Sequence, residues 1–258
     1  MRYCVPLSYI RPSKGKMFKS VDYTMTYYQG CGTIDTLASG KWACPYCWSK
    51  HQHWGSISRV PKLLWNEPKA RLPESIQEST IFMNSAHDTF SPIIPKEWIE
   101  DMLTFIDHQH PSINFYLQSK WIHRARRHMD SLIEIRDRVI LGTTIETNKQ
   151  QLLDSIGCYA PPVKARALAL KYFKEYGFKT RLSLEPLFDF DLKELLELVK
   201  LVEPTVIEVG LDGYAHRHKL NIPQPDPVEY QKLYKAMIKQ GIKVFEKDSI
   251  KKLRKVKT

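Results

Sequence analysis

The chain has 258 residues, 43% hydrophobic and 26% charged, enough to bury the core of one large domain or two small ones. No apolar run approaches the roughly 18 to 20 residues of a helical membrane span, and no leader-like segment opens the sequence; this excludes a helical membrane protein and leads us to expect a cytoplasmic one. A net charge of +11, from 39 Lys and Arg against 28 Asp and Glu, favours a polyanionic partner, and five unevenly spaced cysteines are too few for a disulfide framework.

Residues 1–20 form a polar N-terminal extension. "VDYTMTYY" (Val21 to Tyr28) is rich in β-branched and aromatic residues and predicts a strand, with Gly30 and Cys31 at its C-terminal end. Arg59 to Ser79, with scattered prolines and charge, predicts an irregular excursion. From there strands and helices alternate. Strands are expected at Ser79 to Ala86, Ser112 to Ser119, Asp137 to Ile145, Lys179 to Leu187, Pro204 to Asp212 and Ile242 to Lys247. Helices are expected at Pro95 to His110, Lys120 to Ile133, Pro162 to Tyr176, Asp191 to Val202 and Pro227 to Gln240, the first with Pro in its opening turn and with Gly177 and Gly241 as stops. A basic tail, 248–258, closes the chain.

Such alternation requires parallel strands, because each helix must carry the chain back across the sheet. Polar residues gather just after nearly every strand: Cys31, Asn84 to Asp88, Gln118 and Ser119, Thr144 and Glu146, Glu185, and Asp212. A rim built from many loops favours a full or partial (β/α) barrel of about six or seven parallel strands, in a single domain, over an open doubly wound sheet.

The chemistry concentrates in "QGCGTIDTLASGKWACPYCWSKHQHW". Cys31 precedes Cys44 by twelve intervening residues, and two more separate Cys44 from Cys47. Clustered thiols in a reducing compartment bind metal or react. With His51 or His53 they would complete a closed zinc site, which suits a non-catalytic nucleic-acid-binding protein. Without a histidine, three thiolates would hold a 4Fe-4S cluster with one iron open to a small molecule.

The ending Cys-Pro-Tyr-Cys in the loop after the first strand resembles the cysteine motif of the radical S-adenosylmethionine (radical SAM) superfamily. So do the order and spacing of "SAHDTFSP", "LGTTIETN", "CYAPPVKARALALKYFKEYG", "RLSLEPLFDFD" and "VIEVGLDGY", which are most similar to its spore photoproduct lyase-like and phage-associated branches. The likeness runs from Asp22 to Lys247, and it departs from the family in two places. The first cysteine spacing is longer, residues 32–43 reading as an insertion, and "NSAHD" stands in place of a Gly-Gly-Glu motif.

The resemblance implies a 4Fe-4S cluster on Cys31, Cys44 and Cys47, and reductive cleavage of S-adenosylmethionine to a 5'-deoxyadenosyl radical that abstracts hydrogen. An electron donor such as a flavodoxin or ferredoxin follows from it. Tyr46 would lie against the adenine, and Asn84, Ser85 and Asp88 near the methionine amino group. Ser119 would meet the carboxylate or ribose, and Thr144 and Glu146 would face the barrel interior, Glu146 toward ribose hydroxyls. Glu185 is expected at the mouth, with Arg181 on the same strand face as its partner. Cys158, in the loop after the fourth strand, is a candidate hydrogen donor. Basicity and the branch favour a nucleic acid or nucleotide substrate, with "RARRH" (Arg124 to His128) and the tail as phosphate contacts; a peptide or small metabolite is the alternative.

Overall fold

In the computed structural model the described residues are 5, 9–13, 18–52, 59–251 and 253. Cys4, His53 and most of the basic tail lie outside them. Eight strands form one curled sheet in the order β1 (Ile10–Pro12), β2 (Tyr23–Met25), β5 (Thr80–Met83), β6 (Asn114–Gln118), β7 (Val139–Thr144), β8 (Lys179–Leu184), β9 (Val206–Val209) and β10 (Lys243–Glu246). All neighbours pair in parallel except β1, which runs antiparallel to β2. Seven parallel strands thus form a half-barrel, the partial form of the expected architecture.

The helices that return the chain are α2 (Lys96–Asp107), α3 (Met129–Glu134), α5 (Val163–Glu175), α6 (Leu192–Val202) and α8 (Pro227–Lys239). The Asp191 side chain accepts from the Glu194 amide at the start of α6, and Asp226 from the Val228 and Glu229 amides at the start of α8. Strand parity divides the interior in two. Residues such as Phe115, Leu117, Leu141, Leu182 and Leu184 join the large core with the helices. Phe82, Tyr116 and Ile140 on the other face pack with Phe18 and Val21 as a small second core. The N-terminal extension therefore supplies both an edge strand and a plug for the concave face.

Three local expectations change. The strand predicted over Val21 to Tyr28 breaks after Met25, because the buried side chain of Asn84 accepts from the amides of both Tyr27 and Tyr28. The chain then leaves the sheet as β3 (Tyr28–Gln29), paired with β4 (Lys62–Leu63) in the segment expected to be irregular. The helix predicted over Lys120 to Ile133 starts as a 3-10 helix, Ile122–His128, before α3. Its first amides are captured from outside, Lys120 N by Asp88 and Trp121 N by Ser119. Short helices absent from the sequence reading are α1 (Ile34–Ala38), α4 (Gln150–Ser155), α7 (Ala215–His218) and α9 (Asp248–Lys251). Among these, α1 lies inside the insertion and is closed by a capping box between Thr33 and Thr36.

Gly142 in β7 is a packing necessity. A Cβ there would stand 2.5 Å from the Tyr116 hydroxyl and 2.6 Å from its ring. Gly142→Ala should cost about 1 to 3 kcal/mol by overpacking, read as a lower urea midpoint with an unchanged slope.

Candidate active site

Cys31 follows β3 and Cys44 and Cys47 follow α1, so the loop after the first parallel strand brings the three thiols to the C-terminal rim. All three are free and at least half-buried. Burial raises the pKa of Cys31, and the Asp88 carboxylate and the other two thiols add to the rise. Burial and Cys44 likewise raise Cys47, whose sulfur lies 3.2 Å from the Ser49 hydroxyl. Cys44 goes the other way, to about 6, because the Cys158 thiol donates a hydrogen bond to it and the Lys120 ammonium stands 3.1 Å away. Cys158 is correspondingly raised by holding that bond. The spacing that separates Cys158 from the others in sequence is closed by the fold.

Beneath the thiols lies a buried charge network. Glu146, just past β7, is fully shielded from solvent. Its Oε1 accepts from the Tyr46 hydroxyl at 2.5 Å and pairs with Lys120 Nζ at 2.5 Å; its Oε2 accepts from Arg166 Nη1 of α5 at 2.9 Å. Lys120 also donates to the Tyr46 hydroxyl at 2.8 Å and sits over its ring. Burial alone would raise the Glu146 pKa, but Arg166 and Lys120 outweigh it and hold the carboxyl at about 2. Lys120 is raised in turn, Cys44 and Glu146 overcoming its desolvation. Neither Lys120 nor Arg166 is marked by the sequence: one follows a strand alone, and the other resembles a solvent-facing basic residue of an amphipathic helix.

The remaining expected residues fall into two groups. Asp88, Ser119 and Asn84 are buried and occupied by the fold. Asp88 accepts from the Ser119 hydroxyl, from Phe90 N at 3.2 Å and from Lys120 N at 2.8 Å; burial lifts its pKa to about 6. Ser85 adjoins Asn84 in the turn after β5, half-buried. Thr144 accepts from Gln118 Nε2 at 2.9 Å on the concave face. The Glu146 oxygens, expected near ribose hydroxyls, are held by Lys120, Arg166 and Tyr46. One expected pairing is replaced. Glu185 pairs with Lys247 at 2.5 Å instead of Arg181, whose guanidinium lies over the Tyr116 ring.

His51 is engaged with the segment after β9. Its ring stacks on Tyr214 and its Nε2 lies 2.8 Å from His218 Nδ1, while His218 Nε2 lies 3.3 Å from Asp212 Oδ2. Among the described residues no group of three or more His, Cys, Asp or Glu side chains is gathered tightly enough to hold a metal ion. The zinc alternative needs His51, which is engaged with His218 and Tyr214, while the thiols of one loop with an ammonium against Cys44 have the donor chemistry a thiolate-bound cluster would use.

The model of the family described as "Protein of unknown function (DUF5131)" matches residues 20–189. The "Uncharacterized protein ORF301" of Acidianus two-tailed virus is 25% identical over 236 residues, 79% of this chain and 71% of that one. A substituted spore photoproduct lyase, solved with bound AdoMet and a dinucleoside spore photoproduct, superimposes with a TM-score of 0.64 at 13% identity. That match covers 88% of this chain and 76% of the other, and it shows a shared radical SAM-like half-barrel fold. Among the described residues no helix is long and apolar enough to cross a membrane.

Removing one partner from the buried network leaves charges without compensation. Glu146→Ala should destabilise the chain by about 3 to 5 kcal/mol. Because the folded pKa of Glu146 lies below its ordinary value of 4.5, its stabilisation is present above pH 4.5 and is lost as pH falls toward about 2. Denaturant titrations across that window should show this loss in the parent chain and a smaller one in Glu146→Gln.

Proposed function

We propose that this chain, which belongs to the family described as "Protein of unknown function (DUF5131)", is a radical SAM enzyme that holds a 4Fe-4S cluster on Cys31, Cys44 and Cys47. The observation that carries this reading is the place of the cysteine loop at the rim of a half-barrel, with the Cys44 sulfur 3.1 Å from the buried Lys120 ammonium. When bound, such a cluster supplies the electron that cleaves S-adenosylmethionine to methionine and a hydrogen-abstracting 5'-deoxyadenosyl radical, with a flavodoxin or ferredoxin as donor.

The chain's own residues prepare that site. Lys120 puts a fixed positive charge beside Cys44, which favours its thiolate. Glu146 keeps Lys120 charged and Tyr46 in place, Arg166 holds Glu146 ionised, and Tyr46 in turn sets a flat ring next to the cysteines. Burial excludes water from the radical step. Cys158, whose thiol hydrogen-bonds Cys44 and lies 3.8 Å from the Tyr46 hydroxyl, is our candidate to return a hydrogen atom to a product radical.

The substrate we favour is a nucleic acid or nucleotide, supported by the charge of +11 and by Arg124, Arg126 and Arg127 on the 3-10 helix that follows β6. Arg126 stacks over Tyr172 at 4.0 Å, a fixed rather than frayed presentation.

Purification without oxygen should give a brown protein with about four irons, which forms 5'-deoxyadenosine from S-adenosylmethionine and dithionite. Alanine at Cys31, Cys44 or Cys47 should abolish both colour and cleavage, whereas His51→Ala should keep them. A colourless protein with a single zinc that His51→Ala removes would overturn the reading.

A further inference from the structure

On the concave face, one layer below the rim, stand three buried polar side chains with unused hydrogen-bonding atoms. Arg181 and Ser183 alternate with the helix-facing Leu182 and Leu184 on β8, and Ser183 is in register with Glu208 on β9. The three are 5%, 1% and 0% exposed. Within the described residues, Arg181 Nε and Nη1, Ser183 Oγ and Glu208 Oε2 make no hydrogen bond. Unmet groups at this depth are costly unless something binds them.

The surroundings fix these groups in place. The Arg181 guanidinium lies over the Tyr116 ring at 4.6 Å, and Tyr116 is seated in the concave core against Gly142. Glu208 Oε1 is anchored by the amide and hydroxyl of Ser20, which leaves Oε2 as the acceptor. Directly above, the Glu185–Lys247 pair keeps 22% and 20% of its side chains exposed, so these residues lie one layer beneath the solvent-facing rim. Arg181 and Glu208 offset each other's charge. The set therefore suits a neutral group that offers an acceptor and a donor side by side, not a phosphate.

We propose that Arg181, Ser183 and Glu208 form the floor of a substrate site that takes the amide-like edge of a nucleobase, a carbonyl toward Arg181 and Ser183 and a ring N–H toward Glu208. Uracil, thymine and guanine carry such an edge; adenine and cytosine do not. A peptide amide has similar chemistry, but the chain's positive charge and the arginines after β6 favour the polynucleotide. The inference rests on the proposed nucleic-acid substrate and names the part of it that is read.

The test is equilibrium binding of three single-stranded oligonucleotides of equal length to the full chain purified without oxygen: oligouridylate, its N3-methylated form and oligoadenylate. Equal phosphate counts cancel the backbone contribution. Oligouridylate should bind at least about tenfold tighter than either of the others. Ser183→Ala and Glu208→Gln should erase most of that preference, read as the ratio of oligouridylate to oligoadenylate affinity. The N3-methyl comparison needs no variant, so a misfolded substitution does not decide the matter. Equal binding of all three, no binding of any, or preference for an N-acetyl amino-acid amide overturns the proposal. 5'-Deoxyadenosine formation in the same preparation reads the radical SAM assignment separately, so the two fail independently.

Discussion

The structure depends most on the shared carboxylate of Glu146. A single buried acid meets a guanidinium from α5, an ammonium from the loop after β6 and a hydroxyl from the cysteine loop. Three segments far apart in sequence are thereby tied to the end of β7. Two cations against one anion leave an excess of positive charge, which is costly in a low-dielectric interior unless another anion shares it. Cys44 stands against that excess: Lys120 lies 3.1 Å from its sulfur, and the Cys158 hydrogen bond and the ammonium both favour its thiolate.

That balance links the site's chemistry to the fold. A thiol held as thiolate is ready to bind a soft metal centre, and the same ammonium that favours it also holds Tyr46. The neighbouring carboxylate Asp88 behaves oppositely, lifted to about 6 by burial and spent on the turn after β6. Two acids in one rim thus have separate duties: Glu146 carries charge, and Asp88 shapes the backbone that presents Lys120.

What was legible in the sequence follows from what has a period or a spacing. The seven parallel strands were visible because β-branched runs alternate with amphipathic helices. The cysteine loop was visible because Cys44 and Cys47 stand close together. Asn84 was placed in the site by its position after a strand, yet its left-handed backbone (φ 52°) aims its amide at Tyr27 and Tyr28. No local pattern announces that. Lys120, Arg166 and Lys247 have ordinary neighbours, and each matters only through a carboxylate brought to it by the fold. A strand-face rule paired Glu185 with Arg181, but β10 delivers Lys247 to the same rim, and Arg181 is drawn down onto Tyr116.

The His51, His218 and Asp212 contacts show why the cysteine loop can carry a long insertion without losing its place. Glu146 holds the loop through Tyr46, on the β7 side. His51 and Gln52 hold it on the β9 side, Gln52 donating to the Tyr214 hydroxyl at 3.1 Å and the histidine pair leading to Asp212. One anchor between Cys44 and Cys47 and a second just past Cys47 leave the insertion only the task of returning the chain from Cys31. Extra loop residues add little entropic cost to closure between fixed ends. The loop's length is therefore weakly constrained by stability, and its geometry is set by the two anchors.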